Sequence, residues 1–258
     1  MKRIGLYGCG NLNKIVAKCY KEGILQGYEI VGCYSKTKEH REELSNYLNI
    51  PACDSYDDLL KLNLDYIVEA TNPNATKAIL EKTLENKINV ILLSIGALSD
   101  EKYYSYIKDL CIKNNVRVHL ASGAISGFEV LKTAQIIGLT KASLTNTKGP
   151  NALKKTNLYN DNMLVNEEVA FLGSAKEAID NLPTGINVGV ATALATMGVD
   201  DTIIKIQTKP GFIGDSQCID FECGDEIKGH LDIYSKTSDI AGYSVVALLN
   251  NLLSPIVF

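Results

Sequence analysis

A glycine-rich turn near the start of the chain has the residue types and spacing that bind a dinucleotide pyrophosphate. The run Gly8-Cys9-Gly10-Asn11-Leu12-Asn13 follows a short apolar segment and opens a pattern of helical periodicity. The first glycine permits a tight turn, and the second lets the backbone approach a pyrophosphate at the positive helix N-terminus. Asn13 replaces the third glycine of the G-x-G-x-x-G pattern, so an ordinary turn is the alternative. The strand–turn–helix context favours a dinucleotide.

The residues after the next apolar segment indicate which dinucleotide is bound. An acidic residue at this point would accept a hydrogen bond from the adenosine ribose of NAD. The sequence instead reads Cys33-Tyr34-Ser35-Lys36-Thr37, with no acid before Glu39. Hydroxyl groups and a cation suit a 2′-phosphate, so the pattern favours NADP over NAD, with Ser35 and Lys36 as the contacts. An ordinary solvated loop is the alternative.

Three further loops fall where the carboxyl ends of predicted strands place ligand-binding residues. They read Ala70-Thr71-Asn72-Pro73, Ser94-Ile95-Gly96-Ala97 and Ala121-Ser122-Gly123-Ala124-Ile125-Ser126-Gly127. Each could be only a turn. Because all three are expected beside the crevice of the glycine turn, we interpret Thr71, Asn72, Ser94, Gly96 and the Ser122–Ala124 turn as further cofactor contacts.

The elements that must position these loops alternate between strand and helix over the first 120 residues. Strand-like runs occupy residues 4–7, 29–34, 66–69, 89–93 and 117–120. Ser55, Asn72-Pro73 and Ser99-Asp100-Glu101 have the residue types that begin helices. Alternation of this kind predicts an α/β fold, a Rossmann-like doubly wound parallel sheet.

The pattern changes in the second half of the chain. Residues 142–148, 202–208, 217–223 and 226–234 read as strands, and residues 187–197 as a helix of small residues. Residues 166–181 predict a helix with a possible break at Gly173, and Ser238 a cap for a last helix through Leu253. Consecutive strands without crossover helices predict an antiparallel or mixed sheet, and hence a second α+β domain.

Composition restricts the class of protein. The chain has 258 residues, 46% of them hydrophobic and 22% charged, with a net charge of −4, so a globular domain is expected and a nucleic-acid surface is not. No apolar run approaches the roughly 18 residues of a membrane span, and the N-terminus does not resemble a signal peptide. Seven cysteines without a zinc-binding spacing predict free thiols, no metal site and a cytoplasmic protein.

Four runs make the chain resemble the L-aspartate dehydrogenase family. They are Leu93-Ser94-Ile95-Gly96-Ala97-Leu98, Ala121-Ser122-Gly123-Ala124-Ile125-Ser126-Gly127, Phe171-Leu172-Gly173-Ser174-Ala175-Lys176-Glu177-Ala178 and Pro183-Thr184-Gly185-Ile186-Asn187-Val188. The resemblance implies a dinucleotide-binding domain of residues 1–121 and 239–258, with a catalytic and dimerisation domain of residues 122–238 inserted. It also implies a homodimer, NAD(P)-dependent deamination of an amino acid through an imine, and contact of Asn187 and the Ser122–Ala124 turn with the nicotinamide end.

The sequence departs from this family at two places. The family has a catalytic histidine about thirty residues after the asparagine that matches Asn187, and that position is Gln217 here. Glutamine forms hydrogen bonds but cannot shuttle a proton. The family also has an Asn-Pro-Lys-Thr-Ser segment on a longer loop, of which only Lys236-Thr237-Ser238 remains. These departures predict a reshaped substrate pocket.

Other residues could serve the substrate. Lys148 and Lys236 are candidates for holding a substrate carboxylate, although each could be an ordinary surface lysine, and Thr237 and Ser238 are expected to bind substrate beside Lys236. His40 and His230 are expected in solvent, and His119 is expected to be packed or at the crevice floor, so no histidine replaces the missing one.

Three functions remain open from the sequence. The chain is an aspartate dehydrogenase-like amino-acid dehydrogenase or imine reductase, a reductase of another substrate, or a dinucleotide sensor without turnover. Hydride transfer depends mainly on positioning, because the cofactor supplies the chemistry. Loss of the histidine is therefore expected to impair imine hydrolysis more than hydride transfer, which favours the first two functions and makes imine reduction more plausible than efficient deamination.

Overall fold

The computed structural model describes residues 1–182 and 185–257, and the chain divides into two compact units. The first unit contains Met1–Gly123 and the segment from Asp239 onward, and the second contains Ala124–Ser238. Pro183 and Thr184, which begin the fourth of the family-like runs, lie outside the described residues. Among the described residues, no helix combines the length and the apolar character that crossing a membrane requires.

Ten strands and nine α-helices are found in the described part of the chain. The strands are β1 (Lys2–Tyr7), β2 (Tyr28–Tyr34), β3 (Tyr66–Glu69), β4 (Asn89–Leu92), β5 (Val118–Leu120), β6 (Lys141–Lys148), β7 (Glu168–Ser174), β8 (Ile203–Thr208), β9 (Asp215–Cys223) and β10 (Ile227–Ser235). The helices are α1 (Asn11–Lys21), α2 (Lys38–Leu48), α3 (Tyr56–Leu60), α4 (Pro73–Glu85), α5 (Glu101–Asn114), α6 (Phe128–Ile137), α7 (Ala175–Asn181), α8 (Asn187–Ala195) and α9 (Asp239–Leu253).

The first unit is built on a parallel sheet in the order β2-β1-β3-β4-β5. Successive side chains of a strand point to opposite faces, and here both sets are apolar. Ile4 and Val68 belong to one buried cluster with residues of α1 and α9, whereas Val31 and Ile67 belong to another with residues of α3 and α4. Two cores on one parallel sheet identify the doubly wound arrangement, and the predicted Rossmann-like class is confirmed.

Local sequence signals begin three of the helices in this unit. The side chain of Ser55 accepts a hydrogen bond from the Asp58 N–H at the start of α3. The Asn72 side chain accepts a hydrogen bond from the Ala75 N–H at the start of α4, and the Asp100 side chain accepts one from the Tyr103 N–H at the start of α5. Such caps satisfy N–H groups that have no partner within the helix. These caps fix where α4 and α5 begin, and therefore where the preceding loops end.

The second unit contains a mixed sheet in the order β10-β9-β6-β8-β7. β6 and β8 are parallel, and the other neighbours are antiparallel. One face of the sheet is buried, and it carries Leu144, Asn146, Ile204, Ile206, Gln217, Ile219 and Phe221. The predicted second α+β domain with a mixed sheet is confirmed.

The predicted helix over residues 166–181 is wrong in its first half. Residues Glu168–Ser174 form β7, and only Ala175–Asn181 are helical. β7 pairs antiparallel with β8, and its residues Val169 and Phe171 suit a strand. Ser174 then begins α7 with a capping box, in which its side chain and that of Glu177 each accept a hydrogen bond from the other residue's N–H. The glycine expected to break a helix, Gly173, lies at the end of the strand instead.

Candidate functional site

The glycine turn joins β1 to α1 and leaves space for a ligand. Gly8 adopts φ of +91°, and a Cβ added there would lie 2.4 Å from the carbonyl oxygen of Ala70, so only glycine fits. Gly10 precedes α1 and has no side-chain cap. A Cβ at Gly10 would meet no atom within 4 Å. The turn therefore has the open approach to a helix N-terminus that a pyrophosphate requires.

Asn13, which replaces the third glycine of the fingerprint, holds the turn from beneath. It is fully buried, and its side-chain amide donates to the carbonyl oxygens of Gly8 at 2.6 Å and Tyr7 at 3.2 Å. Its Oδ1 has no hydrogen-bond partner among the described residues. The departure from the fingerprint therefore leaves the turn intact and replaces close helix packing with hydrogen bonds.

The buried carboxylate of Glu69 connects two of the predicted cofactor loops. Glu69 ends β3 with no exposed surface. Its Oε1 accepts hydrogen bonds from the N–H and hydroxyl of Thr71, both at 2.6 Å, and from the Ser94 hydroxyl at 2.9 Å. Its Oε2 accepts a hydrogen bond from the Ser94 N–H at 3.0 Å. Glu69 was not among the predicted residues, and it fixes Thr71 and Ser94 at the carboxyl ends of neighbouring strands.

Two titratable groups near the turn are held in their neutral forms. Burial, followed by the charges of Glu69 and Tyr34, raises the pKa of Tyr7 to about 12. A hydrogen bond to Cys33 and burial raise the pKa of the Cys9 thiol well above its usual value. Cys9 lies inside the glycine turn but offers no thiolate at neutral pH, so it supplies packing rather than nucleophilic chemistry.

The residues predicted to select NADP lie at the carboxyl end of β2. Ser35 is half-buried, and Lys36 and Thr37 are exposed. No ion pair to Lys36 is found among the described residues, whereas the nearby Lys38 and Arg41 are paired with Glu42 and Asp54. This end of the strand therefore carries a hydroxyl and an unpaired cation.

The Ser122–Ala124 turn follows β5, and the end of the first unit falls within it. Gly123 has φ of +63°, and its N–H donates to the Ser244 hydroxyl of α9 at 3.1 Å. Ser122 is half-buried. The turn is thus anchored on the helix that returns to the first unit.

The second unit has a cavity of about 180 Å³ that brings predicted residues together. Its lining comprises Ala124, Leu144, Asn146, Lys148, residues 185–189, Asp215 and Gln217. Four of the predicted site residues are among them: Lys148, Gln217, Asn187 and Ala124. Asn146 and Asp215 were not predicted, because only the strand register places them there. The cavity is smaller than the roughly 300–1,000 Å³ of drug-sized sites, which suits a small substrate.

Polar groups of β6 and β9 meet in this cavity. Lys148 is opposite Asp215 in the register, with its Nζ 3.5 Å from the Asp215 Oδ1 and its side chain only 15% exposed. Asn146 is opposite Gln217, and the Asn146 amide donates to the Asp215 Oδ1 at 3.2 Å. Gln217 is 6% exposed, and its Oε1 has no hydrogen-bond partner in the described structure. An unsatisfied oxygen and a mostly buried cation are therefore both available to a ligand.

The remaining predicted residues lie outside this cavity. Lys236, Thr237 and Ser238 are exposed after β10, and a Cβ on Gly214 would lie 2.9 Å from the Lys236 Cα. His119 is half-buried on β5, where burial and Arg117 lower its pKa. His230 is exposed on β10 and bonded to Asp220, which raises its pKa. No histidine is among the residues that line the cavity.

Comparison with known proteins supports the interpretation of both units. Residues 129–252 match the family described as "Aspartate dehydrogenase, C-terminal", and residues 8–121 match "Homoserine dehydrogenase, NAD binding domain". The L-aspartate dehydrogenase of Methanocaldococcus jannaschii is 30% identical, over 99% of this chain and 98% of that protein. The L-aspartate dehydrogenase of Methanospirillum hungatei is 31% identical, over 100% and 99%.

A solved structure has the same fold. The crystal structure of aspartate dehydrogenase from Thermotoga maritima superposes with a TM-score of 0.80, covering 100% of this chain and 99% of that chain at 23% identity. Together with the full-length relatives, this confirms the resemblance inferred from the sequence and does not favour a dinucleotide sensor or a reductase of another class. The chain belongs to the L-aspartate dehydrogenase family and is an NAD(P)-dependent oxidoreductase that acts on an amino acid.

Proposed function

We propose that the chain interconverts L-aspartate and its imine with NADP, binding the dinucleotide in the first unit and the substrate in the cavity of the second. The observation that carries the substrate assignment is the presence, in one cavity, of a mostly buried ammonium, Lys148, and an unsatisfied buried oxygen, Gln217 Oε1. An α-amino acid offers the complementary groups, a carboxylate and an ammonium. The curated relatives are L-aspartate dehydrogenases, which selects aspartate among such acids.

The first unit would hold the cofactor through backbone and hydroxyl groups. The open turn at Gly8 and Gly10 fits a pyrophosphate, with Asn11 and Leu12 at the helix N-terminus. The residues of this unit proposed to complete the site are Ser35, Lys36, Thr71, Asn72, Ser94, Gly96, Ser122 and Gly123. Ala124 and Asn187, which belong to the second unit, are proposed as further cofactor contacts because the family resemblance implies them. A nicotinamide bound there would supply the hydride chemistry at the substrate Cα, and the residues of the chain would position the two.

The second unit would position the substrate and has little means to move protons. Lys148 binds a carboxylate with Asp215 fixing its ammonium, and Gln217 accepts a hydrogen bond from the substrate nitrogen. Lys236, Thr237 and Ser238 are proposed to bind the substrate from the segment after β10. The only titratable groups among the described lining residues are Lys148 and Asp215, which pair with each other. With Asp215 engaged by Lys148 and Asn146, the described lining offers no unengaged general base for water addition to the imine, and imine reduction is favoured over efficient deamination.

A substrate screen tests this function. The protein is assayed with L-aspartate, other amino acids, and oxaloacetate or other oxo acids with ammonia, each with NAD and NADP, by nicotinamide absorbance. We expect turnover of L-aspartate, and of oxaloacetate with ammonia, to exceed turnover of the other acids. Turnover confined to a different acid would overturn the aspartate assignment, and tight cofactor binding without any turnover would overturn the catalytic one.

Ser35→Asp is expected to reverse the cofactor preference. The unmodified protein should bind NADPH more tightly than NADH, because Ser35 and Lys36 meet the 2′-phosphate where an acid would repel it. One charge-assisted contact contributes about 1.5–3 kcal/mol, so the ratio of the two affinities should change roughly ten- to hundredfold. Calorimetry with both cofactors measures this ratio. Ser35→Asn adds a side chain of the same size as Asp without its charge, so it separates the effect of charge from that of size. Tighter NADH binding by the unmodified protein contradicts the proposal.

Gly10→Ala is expected to weaken dinucleotide binding while leaving the fold intact. Its methyl group would occupy open space in the free protein and the path of the pyrophosphate in the complex, with an overpacking penalty of roughly 1–3 kcal/mol. Gly8→Ala should instead lower the melting temperature, because its methyl group meets the Ala70 carbonyl. Melting curves and cofactor affinities of both variants make the comparison. Unchanged affinity in Gly10→Ala would exclude this turn as the pyrophosphate site.

The protein is expected to be a homodimer in solution, as the family resemblance implies. Light scattering across a range of micromolar concentrations should report about twice the mass of one chain. A single-chain mass over the whole accessible range would refute this assembly.

A further inference from the structure

The outer face of the sheet in the second unit carries a cluster of metal-ligating side chains that the proposed reaction does not use. Cys218 and Asp220 are two residues apart on β9, so their side chains lie on the same face. In the register with β10, Asp220 is opposite His230 and Cys218 is opposite Asp232. Cross-strand neighbours on one face have Cβ atoms about 4.5–5.5 Å apart, within reach of a common ion.

The donor atoms of three of these residues already converge. The Cys218 Sγ lies 3.6 Å from the Asp220 Oδ2 and 3.6 Å from the His230 Nδ1, and the His230 Nδ1 lies 2.7 Å from the Asp220 Oδ1. The ligand atoms of the three residues fall within 4.8 Å of one another. With Zn–S of about 2.3 Å and Zn–N or Zn–O of about 2.0–2.2 Å, tetrahedral donors are separated by roughly 3.5 Å. Only the histidine–aspartate hydrogen bond must open, by less than about 1 Å.

We propose that Cys218, Asp220 and His230 bind a zinc-class divalent cation on this face, with water at the fourth position. A thiolate, an imidazole and a carboxylate form the donor set that Zn²⁺ and Co²⁺ accept, and a thiolate disfavours Mg²⁺ and Ca²⁺. Asp232 adds a negative charge beside the cluster. Lys228 lies on the same strand face as His230, but its ammonium is paired with Glu222 and not with a residue of the cluster.

The site is separate from the substrate cavity. Gln217 and Ile219, the neighbours of Cys218 along β9, are buried on the opposite face of the sheet. His230 and Asp220 have side chains 62% and 55% exposed, so an ion reaches them from solvent without rearrangement of the core. The sequence predicts no metal site because its cysteines lack a zinc-binding spacing, and Cys223, the nearest cysteine to Cys218 along the chain, is buried. The cross-strand register supplies the histidine that sequence spacing does not.

Titration of the tag-free, full-length protein with ZnCl₂ and CoCl₂ tests this site. The unmodified protein should bind one zinc per chain by calorimetry, and cobalt should produce a thiolate-to-metal charge-transfer absorption. Cys218→Ser and His230→Ala should each weaken binding by about 100-fold or more, since even loss of an indirect supporting group weakens metal binding by about 10–100-fold. Cys218→Ser should also remove the charge-transfer band.

Matched variants elsewhere in the chain control for other thiols and imidazoles. Cys111→Ser removes a half-buried thiol of α5, and His40→Ala removes an exposed histidine of α2. Both should bind zinc and cobalt like the unmodified protein, and melting curves verify that all four variants fold. The proposal fails if the unmodified protein shows no saturable zinc binding. It also fails if Cys218→Ser and His230→Ala bind zinc as tightly as the two controls.

Discussion

Gln217→His is expected to raise the rate of L-aspartate oxidation by about 10²–10⁴-fold, the usual contribution of a general acid–base group. The position is buried and lines the cavity that also contains Lys148. Glutamine can hold the substrate nitrogen there, but it has no proton to exchange near neutral pH. An imidazole at the same position could deprotonate the substrate ammonium and assist addition of water to the imine. The gain should appear in both directions, because formation of the imine from oxaloacetate and ammonia is the hydrolysis step in reverse and uses the same acid–base group.

Two further variants make this result interpretable. Gln207→His places the same imidazole on β8, whose residue 207 lies on the opposite face from the buried Ile206 and Thr208, and it should leave turnover unchanged. Gln217→Ala should weaken substrate binding by about one hydrogen bond, roughly 0.5–1.5 kcal/mol. If both changes at Gln217 alter only the melting temperature and leave affinity and turnover as they were, Gln217 fills a polar gap in the core and the substrate assignment is wrong.

The sequence predicts local features of this fold better than contacts between distant residues. Helix starts at Ser55, Asn72 and Asp100 depend on a side chain and an N–H three residues later, so they can be read directly from residue types. The strand β7 could not be recognised, because its apolar residues fit a helical period and only pairing with β8 decides between the two. Tertiary pairing therefore overrides local pattern at this point.

The candidate sites show the same limit. The glycine turn was predicted from six adjacent residues. By contrast, three contacts depend on the register between strands. They are Lys148 with Asp215, Asn146 with Gln217, and Asp220 with His230. A shift of one residue in either pairing would turn each of these side chains to the other face. Sequence spacing does not contain that register, so the cavity and the metal-ligating cluster both required the structure.

Glu69 illustrates a residue whose role is hidden in the sequence, because an acid at the end of a strand is usually solvated there. In the fold it is completely buried and accepts four hydrogen bonds. Thr71 is exposed and can donate to water if the carboxylate is lost, but Ser94 is only 2% exposed. Its N–H and hydroxyl would then be buried without acceptors. The loss of stability on removing the carboxylate is therefore determined mainly by the two buried donors of Ser94.

Glu69→Ala is expected to lower the free energy of unfolding by roughly 2–4 kcal/mol, because each unsatisfied buried donor costs about 1–3 kcal/mol. For a chain of this size, the melting temperature should fall by about 10 °C. Glu69→Gln should have an intermediate melting temperature, since its amide oxygen can replace Oε1 but its NH₂ group would face the Ser94 N–H.

Glu85→Ala and Glu85→Gln, at the exposed end of α4, are the matched controls and should melt like the unmodified protein. Because Thr71 and Ser94 are proposed to contact the cofactor, Glu69→Gln should also bind NADPH more weakly at a temperature where it is fully folded. A melting temperature of Glu69→Ala within about 1 °C of the Glu85 controls would show that the two loops hold their positions without the carboxylate.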